Sequence, residues 1–181
     1  MEKFKNYVIA IGLEIKKIRE NINFSKSNMA EALNVSESYI YHLEYTYNSK
    51  ISLSRYYLMS TILKVKLSNI LKRVDNKILN DKHISITDDG YLRDYKDNIN
   101  PDFFVSYVCN EIKEERTSKG ISQNVIAKKI DITRRYYGDI ESGKNKSISI
   151  YRLLEITEVI ETPLYILVER AEDKIENNSK I

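Results

Sequence analysis

The chain has 181 residues, is 42% hydrophobic and 30% charged, and carries a net charge of +3; this gives room for one or two small soluble domains with modest cores. Five glycines and two prolines are too few for the tight turns of an all-β fold, and a single cysteine, Cys109, excludes an intrachain disulfide framework. The apolar run from Tyr7 to Leu13 is too short to span a bilayer and is followed by no cleavage region, so a cytoplasmic protein with no membrane partner is expected.

Taken in chain order, residues 1–75 show apolar positions at three- and four-residue spacing, which predicts five short helices. Their candidate N-caps are Ser25, Ser36, Ser52 or Ser54, and Ser68. Residues 76–101 read as a polar connector. Within it His83-Ile84-Ser85-Ile86-Thr87 alternates and Asp89-Gly90 is a turn signal, so a small two-stranded hairpin is expected there. Residues 102–181 give five helices again. Val105, Val108 and Ile112 stripe the first, and Cys109 falls on its apolar face as a packing residue. Ser122 caps a second helix carrying Val125, Ile126 and Ile130. Thr133 caps a third, with Tyr137 and Ile140 facing inward. Ser149 caps a fourth, and Thr162-Pro163 is an N-cap with proline at the first helical position of a fifth.

The two sets of helices are related. At a shift of 97 residues, Arg19 falls on Arg116, Ser25 on Ser122, Ala30 on Ala127, Ser36 on Thr133, Glu44 on Glu141 and Arg55 on Arg152. The chain therefore reads as two copies of one unit. In each copy a short turn joins the second and third helices. Such a turn needs one residue at positive φ, which Asn34 and Asp131 can supply without glycine.

The charges are polarised. Residues 113–152 hold a basic cluster that includes Lys128, Lys129, Arg134, Arg135, Lys144 and Lys146, whereas the tail from Leu153 is acidic. Two adjacent arginines at a helix start repel each other and are best explained by a polyanionic partner. An arginine fork donates two parallel bonds to guanine or holds phosphate, and the helix N-terminus adds partial positive charge.

Arg116, Ser122-Gln123, Ala127, Asp131-Ile132-Thr133, Tyr137 and Glu141-Ser142-Gly143 together resemble the Cro/CI-type (XRE) helix-turn-helix family. Residues 1–75 are similar but diverged, with Lys26 in place of the family's glutamine. The resemblance implies an all-α fold of two five-helix, lambda-repressor-like DNA-binding domains, the second (residues 102–181) ending in an acidic tail. It implies double-stranded DNA as partner, with the third helix of each domain in the major groove, and a bacterial or phage, nucleoid-associated protein. Carried over by position, Gln123 touches phosphate or braces a third-helix side chain. Thr133 caps the third helix near a phosphate, and Arg134 and Arg135 occupy the first reading positions. Gly138 and Asp139 lie one turn later, while Lys144 and Lys146 clamp phosphate. Arg116 with Glu141, and Arg19 with Glu44, match a family ion pair that ties the first helix to the end of the third.

The first copy departs from this pattern at its own reading positions, Ser36, Glu37, Ser38, Tyr41 and His42. It has no arginine there. Those residues read DNA with a different base preference, or they form an aromatic assembly surface of an antitoxin-like or anti-repressor kind. A homodimer or a protein regulator is the further partner open to such a chain. No enzyme is expected. His42 and His83 share no metal-ligand spacing with Cys109, and neither a phosphate loop nor a nucleophile motif is present, so no cofactor is expected either.

Overall fold

Side-chain oxygens start most of the helices. In the computed structural model, which describes residues 2–80 and 100–178, Ser25, Ser36, Ser52, Ser122, Thr133 and Ser149 each accept a hydrogen bond from the backbone N–H three residues on. The helices are α1 (Glu2–Asn21), α2 (Lys26–Leu33), α3 (Glu37–Tyr45), α4 (Leu53–Ile62) and α5 (Leu67–Asn80), then α6 (Pro101–Ser118), α7 (Gln123–Lys129), α8 (Arg134–Glu141), α9 (Ile150–Ile160) and α10 (Leu164–Asn178). The fold is all-α, with no strand among the described residues. The hairpin expected around residues 83–90 lies outside them.

The turns take the expected backbone. Asn34 and Asp131 have φ of 52° and 53°. Lys64 and Glu161, which precede α5 and α10, have φ of 56° and 57°, and Asn23 and Gly120 have 54° and 65°. Each of these pairs is related by the same shift as the sequence matches. So are two guanidinium bonds, Arg55 to the Leu33 carbonyl at 3.3 Å and Arg152 to the Ile130 carbonyl at 3.1 Å.

Three expectations need correction. Ser68 does not cap α5, which starts at Leu67; its hydroxyl donates to Glu172 of α10, and that carboxylate accepts from the backbone N–H of Leu67 at 2.8 Å and of Ser68 at 3.4 Å. Thr162 does not cap α10. Its hydroxyl donates to Glu115 at 2.8 Å and accepts from Lys119 at 2.7 Å. Val125 is exposed, because the seven-residue α7 buries only Ile126 and Ala127.

The two halves dock directly, α5 on α10, α4 on α6 and α1 on α9. Their loops meet where Ser52 and Ser149 form an isolated antiparallel bridge. The Leu53 N–H donates to the Ile148 carbonyl at 2.8 Å, and the Ile150 N–H to the Ile51 carbonyl at 3.2 Å. Tyr57 stacks on Phe104 with ring centroids 3.8 Å apart. Apolar side chains from both halves thus form one continuous core. Relative placement of the halves is fixed by this packing.

Candidate nucleic-acid interface

The local fold of the second half presents α8. Its pattern Arg134-Arg135-Tyr136-Tyr137-Gly138-Asp139-Ile140-Glu141 places Tyr137, Ile140 and Glu141 inward, all buried. The tight turn at Asp131 swings α8 away from α7, and Thr133 then caps it, accepting from Tyr136 N–H at 3.1 Å. Arg134 and Arg135, the first two residues of the helix, are therefore thrown outward. Both are exposed, and no described residue bonds to either.

Under this surface lies an anchored carboxylate. Arg116 grips Glu141 with two parallel bonds, Nε to Oε1 at 2.5 Å and Nη2 to Oε2 at 3.1 Å, while its Nη1 donates to the Ile121 carbonyl at 2.6 Å. Gln123 donates Nε2 to Glu141 Oε2 at 2.7 Å. Burial alone would push the Glu141 carboxyl up. The bonds from Arg116 and Gln123 outweigh it and hold the group below the usual carboxylate range. Of the two roles open to Gln123, bracing is the one its geometry serves. The first half repeats the anchor, with Arg19 Nε to Glu44 at 2.6 Å, Nη2 to the other oxygen at 3.0 Å and Nη1 to the Phe24 carbonyl at 2.8 Å.

Geometry sorts the basic residues that sequence had grouped together. Lys119 donates to the last carbonyls of α9 and to Thr162. Arg152 is held by the Ile130 carbonyl and by Glu155 at 2.7 Å. Lys146, expected as a phosphate clamp, turns back to the Asp102 carbonyl at 3.2 Å and to the Ser106 hydroxyl, so its cation is partly spent inside. Lys144 stays 75% exposed, 3.8 Å from Asp139. Exposed around the turn and α8 are Lys128 and Lys129 at the end of α7, Arg134 and Arg135 at the start of α8, and Lys144 beyond it; Lys113, on α6, is exposed as well. Gly138 leaves the middle of the face low, since a Cβ there would meet only the Gln123 side chain, at 3.9 Å.

Sequence reasoning passed over Tyr136. It is exposed in the first turn of α8, and its hydroxyl accepts from Asn145 Nδ2 at 3.0 Å. The inward spacing of Tyr137, Ile140 and Glu141 is the signal that could have placed it on the outer face.

At the matching surface of the first half, Ser36 caps α3 and Glu37, Ser38, Tyr41 and His42 are all exposed. Tyr41 and Tyr45 lie with ring centroids 4.9 Å apart. Lys26 sits 5.3 Å above one ring and 5.5 Å from the other, and Lys16 is 4.7 Å from Tyr45. This surface is aromatic and lysine-bearing, where α8 carries arginine.

Residues 112–167 match the family model described as helix-turn-helix. No curated protein and no solved structure matches the chain. Among the described residues no helix is long and apolar enough to cross a membrane. The matched segment runs from α6 into α10 and contains the anchor, the turn and both exposed arginines. Residues 112–167 are thus similar to a helix-turn-helix domain, a likeness that suggests a DNA-binding regulator.

Proposed function

We propose that the chain is a non-enzymatic, sequence-specific transcriptional regulator that lays α8 in the major groove of double-stranded DNA. One observation carries this reading: Arg134 and Arg135 stand exposed and unbonded at the amino end of a capped helix, above a braced Arg116–Glu141 pair. A helix end of that kind meets phosphate or base edges with both its dipole and its side chains. The first half is proposed to be a diverged copy of the same unit, with α3 in α8's role. Its αL turn, its Ser36 cap and its Arg19–Glu44 pair, each at the same shift from a counterpart in the second half, support this. One chain would then carry two unlike reading helices.

The test is the double substitution Arg134→Ala/Arg135→Ala on genomic fragments selected by the native chain. Specific affinity should fall by roughly 2–5 kcal/mol, with a shallower salt dependence, and the thermal melt should stay in place. Undiminished binding would reject the assignment.

A second reading applies to the first half alone. The exposed Tyr41–Tyr45–Lys26 surface favours protein docking, as in an antitoxin-like or anti-repressor module. Tyr41→Ala distinguishes the two, since a DNA role for α3 requires weaker or altered operator binding, whereas a docking role leaves it unchanged.

A further inference from the structure

The halves meet at two junctions built from matching stretches of chain, and one is filled while the other is open. At the filled junction Tyr57 of α4 stacks on Phe104 of α6 with centroids 3.8 Å apart. Beside them the buried Glu172 reaches from α10 to the first N–H groups of α5 and to the Ser68 hydroxyl. The same shift along the chain gives the other junction, where Leu154 of α9 stands for Tyr57, Tyr7 of α1 for Phe104, and Asp75 of α5 for Glu172. A leucine replaces a tyrosine, and an aspartate falls one methylene short of a glutamate. The space they leave is a cavity of about 420 Å³ between α1, the end of α5, α9 and the start of α10, within the size range of small-molecule sites.

The chemistry of this cavity is defined by what is missing from it. Asp75 Oδ2 is buried with no hydrogen-bond partner, and burial holds its carboxyl above the usual range. Tyr7, its neighbour, donates its hydroxyl to the Leu71 carbonyl at 3.2 Å, and what it and Lys3 lend the Asp75 carboxylate does not outweigh burial. Three carboxylates line the cavity, Asp75, Glu158 and Glu161, against one cation, Lys3. Lys3 is already bound to Glu158 at the rim, 2.9 Å away. The walls between are apolar, from Phe4, Ile78, Leu154 and Leu164. A carboxylate oxygen left without a hydrogen bond is costly and is relieved by a donor, above all a charged one.

We propose that this cavity binds a small organic cation, an amine carried on a compact apolar or aromatic body, with Asp75 receiving the ammonium. The probes are benzylamine, neutral benzyl alcohol and anionic benzoate, titrated into the isotope-labelled full chain and followed by amide NMR. Benzylamine should move the signals of Tyr7, Asp75 and Leu164 saturably. Benzyl alcohol should bind several-fold more weakly, and benzoate should leave them still. Leu154→Tyr installs the side chain of the filled junction and should abolish the response. Asp75→Asn should bring benzylamine down to the level of benzyl alcohol, and it keeps the test decisive if Leu154→Tyr does not fold. The proposal is overturned if no probe gives a saturable shift, if benzoate matches benzylamine, or if Asp75→Asn leaves the preference for benzylamine intact. No DNA enters the assay, so its outcome is independent of the reading of α8.

Discussion

Glu141 shows how a single buried charge organises the surface that α8 presents. Its carboxylate is almost fully enclosed and gripped by Arg116 and Gln123. Arg116→Leu would leave that charge uncompensated and should cost about 3–5 kcal/mol, read by chemical denaturation at neutral pH. The acid side provides the check. Because the folded state holds Glu141 below the usual carboxylate range, wild-type stability from this pair is present above that range and is lost as pH falls through the folded value. The variant has no such pair to lose, so its deficit should shrink on acidification. Gly12 offers a second prediction at this scale. A Cβ built there would lie 2.2 Å from the Leu43 carbonyl oxygen, so α1 and α3 cross backbone to backbone. Gly12→Ala should destabilise by about 1–3 kcal/mol, seen as a lowered melting temperature, with the α3 amides shifting first. Much at this scale was legible beforehand. The ion pairs and the αL residues follow from local chemistry at fixed spacing, and so do the Ser and Thr caps whose partners lie three residues on. Ser68 and Thr162 were misread because their partners, Glu172 and Glu115, lie far away in sequence, and local capping rules cannot see them. The bonds of Lys146 to Ser106 and the Asp102 carbonyl were out of view for the same reason, since they run across the fold.

At the scale of elements, α5 is started by a residue from another helix. Glu172 of α10 does for α5 what a local cap does for α8, and it does so inside the joint between halves. Burial is the dominant influence on its carboxyl, which is pushed up to about 7; the bonds from Ser68 and the charge of Lys66 offset only part of this. Lys66 is itself bound to Asp173 at 3.2 Å and Glu176 at 2.8 Å, so the joint holds three acids around one cation. A raised carboxyl binds its proton more tightly folded than unfolded. Stability from this site is therefore full below the usual carboxylate range and declines as pH rises through 7. Between pH 5 and pH 8 the wild type should lose stability, by on the order of 1–3 kcal/mol, relative to Glu172→Gln, which has no proton to lose. Equal pH profiles for the two proteins would show that Glu172 does not titrate in that window. Element existence was well marked in the sequence because apolar spacing and caps agreed. The exposure of Val125 was not, since a two-turn helix can bury only one narrow face, and periodicity does not say which neighbours are near enough to cover it.

For the whole molecule, the sequence pointed to two units and left their relation open. It could not reveal that α5 and α10 pack together, because apolar residues on a helix face carry no label for their partner. With the halves locked, α3 and α8 cannot drift apart, and under the proposed DNA-binding function a single chain should occupy one operator. The expected outcome, from mass measurement of the complex, is one chain per duplex with protection of two unlike half-sites. Two chains on each duplex would show that pairing between chains, not within one, sets the site length.

Backbone bonds around Ser52 and Ser149, with α5 laid on α10, make the covalent link between residues 80 and 100 dispensable for cohesion. A polypeptide cut within that interval should still migrate as one particle, and fragments produced separately should reconstitute it on mixing. Either fragment kept alone would bare the oily flank that its sibling normally shields, and should clump or recruit a substitute.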